Sequence, residues 1–181
     1  MVRTLFLFAC CTALAGAAAA QTFVTRSGKV NFFSSTPVED ITAENAQLSA
    51  SLSPADGSFS FQVPIRGFHF EKALMEEHFN DNYLESAQFP NGTFTGKIVG
   101  WSTAQADGKK HTVQARGTLT IHGVAVERTI PATVQLVKGA WVLSSRFNVP
   151  TKAHNIPIPD FAAEKIAAEI AVTVEATLER K

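Results

Sequence analysis

The sequence predicts an all-β, antiparallel fold of eight or nine strands, and three observations carry that prediction. Apolar side chains recur at every second position through most segments after residue 20, as they do along half-buried strands. Turn-forming pairs such as Asp56-Gly57 and Lys138-Gly139 separate those segments. Strands nowhere alternate with helices in the βαβ manner that a parallel sheet requires. A barrel is the natural closure of such a sheet, although a two-sheet sandwich satisfies the same alternation.

In chain order, Met1 to Ala20 reads as a cleaved export signal. Arg3 gives it a positive start, Leu5 to Leu14 is apolar, and Ala18-Ala19-Ala20 offers the small residues a signal peptidase needs. Cleavage there leaves residues 21–181 as one domain, expected in the periplasm or outside the cell. A rival reading cleaves before Cys10, because Leu7-Phe8-Ala9-Cys10 loosely fits a lipobox, and yields a membrane-tethered lipoprotein. The apolar run ahead of Cys10 is about half the usual ~7 to 15 residues. Cys10 and Cys11 are the only cysteines, so a domain beginning at Gln21 holds no thiol and no disulfide. No second apolar run approaches the roughly 20 residues that cross a bilayer.

Phe23, then Val30 and Phe32, mark one long bent strand or two short ones. Ala46, Leu48, Ala50 and Leu52 share a parity and lead into Pro54-Ala55-Asp56-Gly57, where proline fixes φ and glycine permits a positive one. Phe59, Phe61, Val63 and Ile65 return as an inward face. After Arg66-Gly67 the apolar parity flips to Phe68 and Phe70, which predicts a bulge or bend. Asn91-Gly92 reads as a turn before a strand containing Phe94 and Ile98. Val113, Ala115, Gly117, Leu119 and Ile121 alternate with polar residues, and His122-Gly123 closes that strand. Ile130, Ala132, Val134 and Leu136 form the next inward set, Trp141, Leu143, Phe147 and Val149 the one after. Ile170, Val172, Val174, Ala176 and Leu178 form the last.

One segment breaks the pattern. Leu74 to Ser86 places Met75, Phe79 and Tyr83 at i, i+4 and i+8, an apolar helical stripe that Pro90 stops from running much further. In a barrel such a helix is a lid or a plug over one end. A second short helical stretch is expected at Asp160 to Ala168.

Composition narrows the function. The chain holds 16 basic and 16 acidic residues with no basic run longer than Lys109-Lys110, so it carries no electrostatic footprint for nucleic acid. Fourteen Phe stand against one Tyr and two Trp, so the rings were chosen largely without polar atoms that burial would leave unpaired. No pair of histidines has metal-ligand spacing, no Ser sits in a nucleophile elbow, and there is no phosphate loop, so neither cofactor nor catalytic site is predicted. Glu76-Glu77-His78 fans out around its helix and reads as a solvated face. The small inward residues Ala46, Ala50, Ala115, Gly117, Ala132 and Ala176 leave room either for an apolar lumen or for closely seated Phe rings.

The helix wording Glu77-His78-Phe79-Asn80 through Tyr83-Leu84-Glu85-Ser86, followed by Phe89-Pro90 and Phe94-Thr95-Gly96, resembles the signature of the YceI-like, polyisoprenoid-binding family of lipocalin-like barrels. The resemblance extends to Ser27-Gly28-Lys29-Val30-Asn31-Phe32, Ser34-Ser35-Thr36-Pro37 and Gly117-Thr118-Leu119-Thr120-Ile121-His122-Gly123-Val124. It departs at Ala125-Val126 and at Ala153-His154 ahead of Asn155-Ile156-Pro157-Ile158-Pro159. It implies an elongated eight-stranded antiparallel barrel carrying a long isoprenoid or similar amphiphile, of quinone or prenyl phosphate type, with no enzyme activity. The lumen is then expected at Phe61, Val63, Phe94, Ala115, Leu119, Ile121, Leu136, Leu143, Phe147, Val172 and Val174, with Met75, Phe79 and Tyr83 as lid or plug. The competing expectation is an exported, solid-cored interaction or stress-response module with no ligand.

Overall fold

A computed structural model of the chain describes residues 21–181. The expected export segment, Met1 to Ala20, with Cys10 and the lipobox reading, lies outside the described residues.

The strands are β1 (Phe23–Ser35), β2 (Asp40–Leu52), β3 (Ser58–Pro64), β4 (His69–Phe70), β5 (Asn91–Ile98), β6 (His111–Ile121), β7 (Val124–Val137), β8 (Ala140–Pro150) and β9 (Glu169–Arg180). Among the described residues the one α-helix, α1 (Ala73–His78), lies between β4 and β5. All pairings are antiparallel, in the order β1-β9-β8-β7-β6-β5-β3-β2, and β2 pairs back onto β1. Eight strands therefore close a barrel, which excludes the sandwich, and the two-residue β4 only flanks β2.

Alternate connections of an antiparallel barrel lie at opposite poles. At one pole are the turns 53–57 and 138–139 and the loop 99–110. There Phe23 pairs with Leu52 and with Arg180, and Lys181 N–H donates to Thr22 O at 3.0 Å, so residues 22 and 181 sit together. At the other pole are the turns 36–39 and 122–123, segment 65–90 with α1, and segment 151–168.

Two hairpins turn tightly because adjacent residues accept positive φ. Lys138 and Gly139 (50° and 86°) join β7 to β8, and His122 and Gly123 (51° and 70°) join β6 to β7. Elsewhere the register is bent. β1 is a single 13-residue strand whose pairing with β2 shifts between Thr25 and Gly28 and again between Gly28 and Val30. The second shift inserts an extra residue into β2, so Ala46 faces solvent instead of the interior that simple parity gives it. Asn45 holds this bulge: Gln47 N–H donates to its Oδ1 (2.7 Å), and its Nδ2 donates to Pro64 O (2.8 Å).

Asn91 and Gly92 are not a turn. They are the first residues of β5, paired with Pro64 and Val63. Between β7 and β8 the ladder runs from Val137 and Ala140 to Ala132 and Ser145 and stops at Pro131. Proline has no N–H to continue it. Beyond, only side chains bridge the two strands: Ser145 Oγ donates to Pro131 O (2.7 Å) and Arg128 Nη2 to Asn148 O (2.9 Å).

The first pole is packed solid. Trp101 and Trp141 meet at 5.2 Å between ring centroids, Trp101 Nε1 donates to Pro54 O (2.8 Å), and Phe23, Leu136 and Leu178 complete the layer. Gly57, at φ 69°, lies against Trp101, and a Cβ there would come within 2.6 Å of the Trp101 Cβ.

Candidate functional site

Above that layer the barrel is hollow. A cavity of about 600 Å3 runs from Leu52, Phe59, Val113 and Val134 up to the pole that carries α1. It exists because the inward side chains at mid-height are small: Ala115 on β6 and Ala132 on β7 stop short of the opposite wall.

Phe61, Val63, Phe94, Ala115, Leu119, Ile121, Leu143, Phe147, Val172 and Val174 all line this cavity. Leu136 does not. It has the inward parity of its neighbours but pairs with Trp141, and so belongs to the layer that seals the pole beneath. Phe59 sits at the base of the wall, with Phe94 at 5.0 Å and Phe61 at 5.7 Å from its ring centroid.

Met75, Phe79 and Tyr83 line the upper cavity. The helix that presents them is shorter than its apolar stripe suggests: α1 ends at His78, and Phe79 to Tyr83 continues as a wider π turn, with Leu84 N–H donating to Phe79 O at 2.9 Å. Phe79 lies within 5.1 to 5.6 Å of Phe32, Phe68 and Phe70, a ring cluster that connects the helix to β1 and to the bend before it. That bend is a single 3₁₀ turn, Ile65–Gly67, which accounts for the parity flip between Ile65 and Phe68.

At the same pole, the expected helix at Asp160 to Ala168 is only a 3₁₀ turn, Asp160–Ala162. Its segment supplies Ile156, Ile158, Phe161 and Ile166 to the cavity. These residues are missed by periodicity because they sit on irregular backbone. The signal for two of them was the alternation of Ile156 and Ile158 between prolines. Ser34, buried at the end of β1, accepts a hydrogen bond from Ala167 N–H (2.9 Å) and ties this segment down.

Charge is confined to the rim. Among the described residues, the charged or imidazole side chains along the cavity are Glu39, Lys72, His78 and Lys165, beside the Tyr83 phenol, and Lys72 Nζ lies 3.0 Å from Glu39 Oε1. Of the Glu76-Glu77-His78 run, Glu76 turns back to accept from Phe70 N–H (3.2 Å) while Glu77 is exposed. Among the described residues no three His, Cys, Asp or Glu are grouped to hold a metal ion, and no helix is long and apolar enough to cross a membrane.

Beside the cavity, His154 is fully buried and its Nδ1 donates to Val124 O at 3.0 Å. His122 lies 3.3 Å from His154 O through Nδ1 and 2.7 Å from Glu85 Oε2 through Nε2, and the Phe89 ring covers it. Burial, aided by nearby Arg128, holds the His154 imidazole below its ordinary 6.5, against the pull of the Val124 carbonyl. The unfolded chain therefore takes up this proton first as pH falls. The contribution of His154 to stability is complete above 6.5 and is lost as pH drops below that value toward the folded-state pKa. Melting temperature is expected to fall on acidification through that window, and His154→Gln to flatten the fall. Equal slopes for the two proteins would remove His154 from this role.

Comparison with known proteins places these features in a family. A model of the YceI-like domain matches residues 18–178. A polyisoprenoid binding domain from Saccharophagus degradans, implicated in plant cell wall breakdown, superposes with a TM-score of 0.76 at 17% identity, covering 90% of this chain and 99% of its own. BcnA of Burkholderia cenocepacia gives 0.69 at 18% identity, covering 83% and 95%. The YCEI protein of Campylobacter jejuni gives 0.59 at 17%, covering 77% and 84%. At these identities the likeness is one of fold. No curated protein matches the chain.

Proposed function

The chain belongs to the YceI-like family, and on that premise we propose that it is an exported carrier of a long isoprenoid or similar amphiphile, of quinone or prenyl phosphate type. The observation that carries this reading is the distribution of polarity along one continuous cavity: a predominantly apolar wall, with Gln62, Thr93, Ser144 and Ser145 among its uncharged polar residues, and charged groups only at the rim. A ligand matched to it has a long apolar chain and a polar end that stays near water. Burying chain is worth about 0.8 kcal/mol per CH₂, so a prenyl tail of tens of carbons gains on the order of 20 kcal/mol before ordering costs. Affinity then needs no specific motif. The polyisoprenoid-binding description of the Saccharophagus domain supports the same ligand class.

The proposal is for a binding protein, which the polyisoprenoid-binding description of the Saccharophagus domain supports, and the ion pair that lines the cavity, Lys72 with Glu39, lies at the rim. Removal of Met1 to Ala20 would deliver the barrel to the periplasm or beyond. The test is mass spectrometry of an organic extract of the protein purified from a bacterial host. A long-chain prenyl lipid at near one per protein is expected, and an extract free of any amphiphile would overturn the proposal.

In this reading Phe79 is part of the lid. Its ring is only half-buried, so Phe79→Ala is expected to cost about 1 to 3 kcal/mol, less than the ~3 to 5 of a fully buried ring, and to speed lipid release. Thermal unfolding and the rate of lipid transfer to vesicles check both halves. If neither changes, the helix is no lid.

A further inference from the structure

We propose that the open mouth of the barrel docks on a lipid bilayer, inserting Phe161 and Leu74 among the acyl chains. This rests on the carrier reading, to which it adds the route by which cargo enters and leaves.

Phe161 is 83% exposed and Leu74 60%, yet both also line the cavity, from the two separate segments 151–168 and 65–90 at its open pole. Val38, 58% exposed, lies in the β1–β2 turn, which the Glu39–Lys72 ion pair fastens to the start of α1. Three large apolar side chains thus project into water from three separate segments around one aperture. Val99, at 56%, is comparably exposed but sits at the sealed pole, beside no opening.

A bilayer is the occupant that fits. The projecting side chains ring an aperture and offer no flat face, so a protein seated there would cap the cavity, whereas a membrane would extend its apolar path. The charge around the rim is mixed: Lys72 is paired with Glu39, and Lys165 follows Asp160 and Glu164 in its own segment. Attraction to anionic headgroups is therefore not the main term. The lysine stems can lie along the apolar layer with their amines at headgroup level. Binding then depends on apolar insertion and tolerates salt.

The test uses protein stripped of lipid, floated with vesicles of phosphatidylcholine alone or mixed with phosphatidylglycerol, at low and high salt. Wild type is expected to float with both. Phe161→Ser and Leu74→Ser should each weaken binding about tenfold or more, with melting temperature unchanged because both side chains are already exposed. Failure of the wild type to bind, or equal binding by the variants, would overturn the proposal. So would binding confined to phosphatidylglycerol and abolished by salt. A dimer that forms without vesicles and is lost in Phe161→Ser would give the surface to a second copy of this chain instead. Because vesicle binding is measured without cargo, it can fail while the organic extract still contains lipid, and the converse, so the two readings fall separately.

Discussion

Ala115→Phe is expected to empty the barrel of lipid while leaving the stripped protein about as stable as before. Ala115 lies between Ile98 on β5 and Ile130 on β7, and its methyl group faces the cavity. In a solid core an added ring forces neighbours off their rotamers and costs roughly 1 to 3 kcal/mol. Here the ring has several times its own volume in front of it, so it occupies space that a ligand chain would use. Two measurements made together decide the matter: the melting temperature of stripped protein and the lipid content of protein as purified. A destabilised variant with undiminished lipid would mean that the cavity at this height is neither open to a side chain nor used by cargo.

Trp141→Ala should be the most damaging single truncation for stability, at about 3 to 5 kcal/mol. Trp141 is 2% exposed and pairs with Leu136 on one side and Leu178 on the other, while its ring meets Trp101. No side chain nearby can collapse into the space it would leave, because the next layer up is already the floor of a hollow. For a domain of this size the loss corresponds to a fall in melting temperature of roughly 10 °C or more. Chemical denaturation should give the same free energy. A loss below about 1 kcal/mol would show that the sealed pole is not a well-packed layer.

The contrast between these two sites explains what was legible in the sequence. Alternation tells which way a side chain points, and it pointed Val113, Ala115, Leu119 and Ile121 inward correctly. It does not tell how far along the barrel axis a residue lies, so Leu136, with the right direction, was expected in the lumen and belongs to the packed pole. Alternation also fails wherever the backbone adds a residue: at Ala46, turned outward by the bulge that Asn45 holds, and at Phe79 to Tyr83, where a π turn replaces helix. Hollow and solid interiors share one pattern of apolar residues. Only the three-dimensional sum of small side chains such as Ala115 and Ala132 separates them. The rim was the least legible part, since Phe161 and Ile166 lie on backbone with no period at all, whereas the closed eight-strand barrel followed from the family resemblance.

Residues 22 and 181 lie side by side at the sealed pole, far from Phe161 and Leu74. Anything attached through either end of the barrel, whether an affinity tag, a fluorescent reporter or a sensor surface, is thereby kept on the blind side. Every immobilised molecule would face its aperture to the bulk solution, in one orientation whichever end is chosen. Coupling through Lys72 or Lys165 would instead turn the aperture to the support, and comparing the two attachments would read out directly which face exchanges lipid.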